Sequence, residues 1–543
     1  MLEKIGKYII FFIVASVYQL NLQAAIVPPG IKLSPNQILN KDNSNEPSSL
    51  DPSHCSDNLG ANIIFDLFEG LVLDDANGKI IPGSATHWNI SKDALKYTFY
   101  LRKDAKWSDG AKLTAQDFVY SFQRLVDPKT AAEMAYLANV IKNARNIIEG
   151  KLSPNSLGVK AIDPHTLEIT LEAPAGYFLS LLTGASFVPL RKDLIEKFQT
   201  GWTQPNKMVS NGAYKLTYWK VGEKTSLEKN EFYWDSKNTI IKKVNNFVIQ
   251  DKTSSLRMFE SGQIDWTYGI PPGMFQNLKI KFPKEMKTIE SLNVGYLNFN
   301  LNKSPLNNPK LREALTLVIN REYFTKYVMG RNERPIFDLP PYGILNYTQY
   351  VPTWAKLTEK EVIEKAKKLY AEAGFSKENP AKIKFTYATN ETDKKYSTAI
   401  AAIWNKILGV KTELYSEEWK VHLANLTNKN YEVTIRLWSA DYNDAQNFLG
   451  LLQSDNVQNI TGYKNKKYDA LLLQAEKEIN AQKRKELLLE ASKIAMDDFP
   501  VAPIYSGTVN RLIKNYVQGP AFNNPQDNYR TKEFYIVAQE KKS

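Results

Sequence analysis

Cysteine and histidine are scarce in this chain of 543 residues, which contains one cysteine, Cys55, and four histidines. A single cysteine excludes an internal disulfide and any site built from several thiolates. No two histidines stand at the spacing of metal ligands, and HExxH, GxSxG, GxGxxG and P-loop motifs are absent. The sequence therefore predicts a protein without a metal site, without a cofactor and without enzymatic activity.

Long apolar runs are also lacking, apart from a short one at residues 8–17. Two lysines precede this run, and Ala24 and Ala25 follow it. A basic start, a short apolar segment and a small-residue exit are typical of a secretory signal peptide, and the run is shorter than the ~20 residues of a spanning helix. We expect residues 1–24 to be a cleavable signal peptide that exports a soluble protein to the periplasm.

Blocks of like charge are missing as well, although the net charge is +12. The basic residues are spread evenly and mixed with acidic ones, which is typical of a solvated surface and not of a nucleic-acid site. We therefore expect a monomer with no nucleic-acid partner.

Strand and helix patterns alternate along the whole chain, which predicts an α/β fold. Alternating apolar residues predict strands around 97–101, 167–171, 383–387 and 433–437, and capping residues with helical spacing predict helices from 115, 309 and 359. Residues 468–496 are predicted as helix, and 340–358 and 515–530 as loops.

The stretch from Trp107 to Gly110 combines an aromatic, a hydroxyl and an acid, which are residue types found in binding sites. Ser108 and Asp109 are also turn formers, and glycine accepts the positive φ that a tight turn requires. We predict a turn here.

A series of motifs in the same order as in a known family covers nearly all of the chain after residue 49. The chain resembles solute-binding protein family 5 of peptide ABC transporters, in its oligopeptide- and murein-tripeptide-binding branch. The stretches that carry the resemblance are 49–52, 66–71, 82–88, 97–102, 106–110, 113–121, 211–214, 261–262, 371–374 and 438–443.

This resemblance implies a periplasmic binding protein-like fold of class II, of the large three-domain type, in which two hinged lobes close on a ligand. By analogy, lobe I comprises residues 28–69, 190–295 and 507–543. An inserted domain II comprises 70–189, and lobe II (domain III) comprises 296–506.

The same resemblance implies which residues bind the ligand. Asp441, in the stretch Trp438-Ser439-Ala440-Asp441-Tyr442-Asn443, corresponds to the acid that pairs with the α-amino group of a bound peptide. An Asp that caps a turn after the strand is the structural alternative. The other positions that match ligand-binding positions of the family are Leu437, Trp438, Ser439, Trp419, Tyr505, Tyr296, Ser56 and Asn58.

The match is incomplete where the family binds the peptide carboxylate. An arginine expected six residues before Asp441 is replaced by Ile435, and Arg436 follows it. One step along a regular strand turns a side chain to the other face, so Arg436 needs a β-bulge to take that role. A histidine contact of the family corresponds to Asp393. A lysine that the family uses for longer peptides falls near Met329, with Arg331 and Arg334 close by.

The function implied by the resemblance is capture of short peptides in a closed interlobe cleft and delivery to an inner-membrane ABC permease. A murein-derived or otherwise modified peptide, or another small solute, is the alternative within transport. A secreted hydrolase and a chaperone-like protein are the alternatives from other classes.

Overall fold

The structure, a computed structural model, describes residues 25–271, 273–456, 458–520 and 523–539. The predicted signal peptide, residues 1–24, lies outside the described residues.

Strands and helices alternate within the described ranges, as the sequence predicts. The strands are β1 (Ile38–Asp42), β2 (Val72–Asp74), β3 (Ile80–Pro82), β4 (Ala85–Ile90), β5 (Lys96–Leu101), β6 (Val159–Asp163), β7 (Thr166–Thr170), β8 (Tyr214–Lys220), β9 (Lys224–Lys229), β10 (Lys243–Phe247), β11 (Met286–Phe299), β12 (Arg334–Pro335), β13 (Lys382–Ala388), β14 (Lys411–Glu417), β15 (Val433–Ser439), β16 (Val501–Leu512), β17 (Val517–Gln518) and β18 (Tyr535–Ile536). The α-helices are α1 (Asn58–Leu67), α2 (Ala115–Val126), α3 (Ala144–Ile148), α4 (Phe178–Leu181), α5 (Lys192–Phe198), α6 (Lys252–Glu260), α7 (Phe275–Lys281), α8 (Pro309–Leu317), α9 (Arg321–Tyr323), α10 (Glu359–Glu372), α11 (Glu391–Leu408), α12 (Trp419–Thr427), α13 (Gln446–Leu449), α14 (Lys466–Lys477) and α15 (Ala481–Asp498). None of the described helices is long and apolar enough to cross a bilayer.

Local side-chain chemistry sets several helix ends where the sequence predicts them. At the start of α10 the Thr358 hydroxyl accepts from the amide of Glu361, and the Glu361 carboxylate accepts from the amide of Thr358. Each bond satisfies an amide that has no partner inside the helix. Asn308 caps α8 ahead of a proline, and Gly409 ends α11 with φ at +80°.

The prediction of one helix over residues 468–496 is wrong. The chain forms α14 and α15, separated at residues 478–480. The Asn480 side chain accepts hydrogen bonds from the amides of Gln482 and Lys483 and starts α15 anew. The break lets the two helices pack against each other.

The predicted turn after Trp107 is confirmed. Gly110 has φ of +87°, and its amide donates to the Trp107 carbonyl at 2.9 Å. Asp109 accepts from the amide of Ala111, and its carboxylate pairs with Arg191 at 2.8 Å.

Two four-stranded sheets occupy the amino-terminal half of the chain. One has the order β1-β10-β9-β8, with β1 parallel to β10, and the other is antiparallel with the order β4-β5-β7-β6. Side chains from both sheets, and from the carboxy-terminal segment around Phe534, form one continuous apolar core.

A mixed six-stranded sheet with the order β12-β16-β11-β15-β13-β14 forms the centre of the second half. One face packs on α8, α10 and α11 through residues such as Phe299, Phe385 and Ile435. The other face packs on α13, α14 and α15 through residues such as Val294, Tyr296 and Val501.

The long strands β11 and β16 connect the two halves of the molecule. Their outer parts pair over 286–290 with 508–512, and their inner parts pair over 294–298 with 501–506. The pairing shifts between Glu290 and Val294 and again between Gly295 and Tyr296. The residues between the two paired parts, 291–293, line a cavity between the two halves of the molecule.

Buried ion pairs hold the carboxy-terminal segment against the amino-terminal half. Arg530 pairs with Asp74 at 3.0 Å, and Lys532 pairs with Glu69 at 3.4 Å. Residues 525–528, shortly before Arg530, line the same cavity.

Candidate functional site

A cleft of about 310 Å³ opens between the two halves of the molecule, and we call it the cleft cavity. The residues that form its walls are 55–58 around the start of α1, Met134, Leu137, 184–187, 291–293 of β11, 439–441 at the end of β15, and 525–528 of the carboxy-terminal segment. The cavity therefore draws on every large part of the fold.

Asp441 follows the end of β15 and lines this cavity. Its carboxylate accepts hydrogen bonds from Asn447 Nδ2 and from the Tyr136 hydroxyl, both at 3.3 Å. The side chain is exposed to the open cleft, yet the surrounding walls remove enough water to raise the pKa of Asp441 above its ordinary value, and the two hydrogen bonds oppose this rise only in part.

The charged residues that line the cleft cavity are all acidic. Among its described lining residues are Asp57, Asp441 and Asp527, and there is no lysine or arginine. Asp57 caps α1 by accepting from the amide of Gly60, and Asp527 pairs with Arg511. In the described part of the chain Asp441 has no cation within ion-pair distance, so its charge remains uncompensated.

Tyr136 is a site residue that the sequence did not reveal. It lies 305 residues before Asp441, and its hydroxyl reaches that carboxylate across the cleft. Asn447 was missed as well: its Oδ1 accepts from Trp438 Nε1 at 2.9 Å while its Nδ2 donates to Asp441. Neither position belongs to a local pattern that could have indicated it.

Strand β15 presents its two faces differently at its cleft end. Leu437 and Ser439 are exposed on one face, and Ser439 lines the cleft cavity. Arg436 and Trp438 lie half-buried on the opposite face, where Arg436 Nη2 donates to Gln458 at 2.9 Å. Strands β11 and β15 pair without interruption, from Asn293 opposite Ser439 to residue 299 opposite residue 433. No bulge therefore turns Arg436 toward the face of Leu437.

The edge of β15 beyond residue 434 is not paired with β13 in the described ladder. Strand β13 pairs with β15 only at Val433 and Thr434 in the described ladder, although β11 pairs with β15 along its full length. An unpaired strand edge is a template for an added extended segment. The exposed side chains of Leu437 and Ser439 lie along this edge.

Tyr505 lies on the same face of the sheet as Leu437. Its ring covers Gly295, the residue that pairs with Leu437, and an added methyl group at Gly295 would overlap the ring. Tyr396 packs on Tyr505 with ring centroids 6.1 Å apart. Burial raises the pKa of Tyr505, and Arg331 acts in the opposite direction, which shows that the guanidinium is close to this pair.

The remaining predicted site residues fall in three different places. Ser56 and Asn58 are exposed and line the cleft cavity at the start of α1. Tyr296 is 1% exposed and packs in the core on the opposite face from Gly295, so the structure does not bring it to the cleft. Trp419 begins α12, but its side chain lies outside the described residues.

Known proteins resemble this chain over nearly its whole length. The family model of the bacterial extracellular solute-binding proteins, family 5, matches residues 79–459. The periplasmic murein peptide-binding protein MppA of Escherichia coli is 38% identical over 95% of this chain and 96% of its own length. The periplasmic oligopeptide-binding protein OppA of Salmonella typhimurium is 39% identical over 95% of each chain.

The name of a third relative refers to a different ligand. The probable deoxycholate-binding periplasmic protein YgiS of Escherichia coli is 36% identical over 97% of this chain and 99% of its own length.

Among solved structures, the unliganded open form of the murein tripeptide-binding protein MppA superposes with a TM-score of 0.88 at 37% identity, over 94% of this chain and 99% of the other.

Proposed function

Because this chain belongs to the bacterial extracellular solute-binding proteins of family 5, we propose that it captures short peptides in the cleft cavity and delivers them to the permease of an inner-membrane ABC importer. It acts in the periplasm after removal of its signal peptide, as a binding protein and not as a catalyst. The similarity to MppA, a periplasmic murein peptide-binding protein, and to OppA, a periplasmic oligopeptide-binding protein, supports this proposal.

The uncompensated carboxylate of Asp441 is the observation that carries the proposal. A peptide brings an ammonium group into the cleft, and burial of an unpaired charge is costly unless an opposite charge meets it. The described lining offers acids and no lysine or arginine, so its charge complements an ammonium group. Tyr136 and Asn447 hold the carboxylate in position while its charge remains available to the ligand.

The main chain of the peptide adds to the free edge of β15. Amide and carbonyl groups at 437–439 provide hydrogen bonds that do not depend on the ligand's side chains. Ser439 lies two residues from Asp441, so the first residue of the peptide aligns with this edge when its ammonium pairs with the carboxylate.

The ligand carboxylate is bound by Arg331. This side chain is half exposed and holds Glu333 through Nε at 2.8 Å, so its terminal nitrogens are not used by that pair. It lies beside Tyr396 and Tyr505, which share the face of the sheet occupied by Leu437. Arg436 is directed to Gln458 on the other face, which favours Arg331 over Arg436 for this role.

A bile acid is the second candidate ligand, because YgiS is 36% identical over nearly the full chain. Deoxycholate is an anion, and the described lining of the cleft cavity contains three aspartates and no lysine or arginine. The charge of the lining therefore favours a ligand with an ammonium group.

The test is to identify the ligand that the protein carries from the cell. The exported protein is purified without denaturant and then unfolded, and the released molecules are analysed by mass spectrometry. We expect short peptides with free amino termini, and their masses distinguish murein-derived from general peptides. Release of a bile acid, or turnover of added peptides by the pure protein, would contradict the proposal.

A further inference from the structure

A second cavity, of about 300 Å³, lies in the second half of the molecule and shares none of its lining residues with the cleft cavity. We call it the Arg321 cavity. Its wall is mainly apolar, with Leu317, Val318, Phe337, Trp354, Val362 and Ile363 among the lining residues. The volume is at the lower end of the range of small-molecule sites.

Arg321 is the buried cation of this cavity. It is 3% exposed, and its guanidinium packs against two rings that also contact each other, with the centroids of Phe337 and Trp354 at 4.9 and 5.1 Å from Cζ. Its Nε donates to the carbonyls of Pro503 and Ile336, and its Nη1 donates to the carbonyls of Ile319 and Thr316.

No anion balances this charge in the described part of the chain. Burial lowers the pKa of Arg321 to about 9, and no carboxylate acts against that decrease. Glu322 and Glu359 also line the cavity, but both are exposed at its rim, in contact with water. A buried cation without a counter-charge is unfavourable and favours a bound anion.

Two hydrogen-bond donors at the cavity have no acceptor among the described residues. Nη2 of Arg321 makes no hydrogen bond there, and Nε1 of Trp354 is buried without a partner. Buried donors are nearly always satisfied, so the unpartnered Trp354 Nε1, beside a guanidinium whose Nη2 is unused, indicates an acceptor that is not part of the chain.

We propose that the Arg321 cavity binds a small monocarboxylate with an apolar tail. The carboxylate accepts hydrogen bonds from Arg321 Nη2 and Trp354 Nε1, and the tail packs on the aliphatic side chains of α8 and α10. The site is separate from the peptide site and does not depend on the proposed function.

Hexanoate and its neutral analogue hexanamide test the proposal by calorimetry on the mature protein. We expect hexanoate to bind at one site and hexanamide to bind about ten-fold more weakly or worse, because a hydrogen bond to a charged group is worth more than one to a neutral group. Absence of hexanoate binding, equal affinity for both compounds, or competition of hexanoate with a peptide ligand would each overturn it.

A pair of variants locates the binding. Ile363→Trp fills the cavity from α10 without touching the contacts of Arg321 and is expected to abolish hexanoate binding. Leu473→Trp, on the exposed side of α14, is the matched control and is expected to bind hexanoate as the unmodified protein does. Undiminished binding by folded Ile363→Trp would overturn the proposal; the comparison with hexanamide decides it if this variant does not fold.

Discussion

At the scale of single residues, the chemistry of the cleft depends on the carboxylate of Asp441. An aspartate that only caps a turn accepts hydrogen bonds from the backbone amides of neighbouring residues. Asp441 instead faces the cleft, with a neutral amide and a neutral hydroxyl as its partners. The charge is therefore held in position but not neutralised, which is the state that a binding site for an ammonium group requires.

The affinity for peptides is expected to fall as the pH is lowered, because only the ionised form of Asp441 attracts the ammonium group. Burial raises the pKa of this carboxyl above its ordinary value, so protonation begins at a higher pH than for an exposed aspartate, whose pKa is about 3.9. Below the pKa of the free protein, affinity decreases by up to about ten-fold per pH unit.

Calorimetric titrations between about pH 7 and pH 4 measure this dependence, with Asp441→Asn as the control. The variant is expected to bind weakly, with little dependence on pH. An affinity that stays constant over this range, or a decrease that Asp441→Asn shares in full, would contradict the assignment.

Replacement of Arg331 tests whether this residue binds the carboxylate end of the peptide, independently of the amino end. Arg331→Gln is expected to weaken binding of a peptide with a free carboxylate by about ten-fold or more, because a charge-assisted hydrogen bond is lost. A peptide amidated at its carboxyl end should bind the variant and the unmodified protein equally.

Arg334→Gln is the matched control, since Arg334 is three residues away and pairs with Glu290. Equal losses for the free and the amidated peptide, or the same effect in Arg334→Gln, would mean that Arg331 does not bind the carboxylate.

At the scale of secondary-structure elements, local chemistry made most helix and strand positions predictable. The alternating residues of β5, the capping box of α10 and the proline at the start of α8 are all present as the sequence indicates. The break between α14 and α15 was missed because apolar residues continue at helical spacing through both helices, and only the side chain of Asn480 separates them.

The long pair β11 and β16 could not have been predicted as one feature, because its register depends on residues more than 200 positions apart. The residues of the cleft also differ in how far the sequence alone indicated them. Asp441, Ser439, Ser56 and Asn58, which the family resemblance indicated as ligand-binding positions, line the cleft cavity, and their role in binding stays a prediction. Tyr136 and Asn447 required the tertiary structure, which brings them to Asp441.

Gly295 links the strand pair to the site, because the ring of Tyr505 occupies the space above it. Gly295→Ala is expected to displace Tyr505, to lower the free energy of unfolding by about 1–3 kcal/mol and to weaken peptide binding. Chemical denaturation and calorimetry measure the two effects.

Gly450→Ala serves as the control, because an added methyl group there meets no atom closer than 3.7 Å. If Gly295→Ala binds peptide as tightly as the unmodified protein, Tyr505 does not form part of the site.

At the scale of the whole molecule, the cleft lies where the two halves meet through β11 and β16. The predicted boundaries of lobe I and lobe II, at 295/296 and 506/507, fall inside these two strands, next to the shift in pairing at Gly295. They stay a prediction. Across this cleft the Tyr136 hydroxyl donates a hydrogen bond to the Asp441 carboxylate at 3.3 Å.

The most direct test of this account is a thermodynamic cycle between the amino group of the ligand and Asp441. Binding of one tripeptide, with a free and with an acetylated amino end, is measured by calorimetry for the unmodified protein and for Asp441→Asn. We predict that acetylation and Asp441→Asn each weaken binding strongly and that both together weaken it little further, which gives a coupling of about 1.5–7 kcal/mol. Effects that simply add would show that the ammonium group does not pair with this carboxylate.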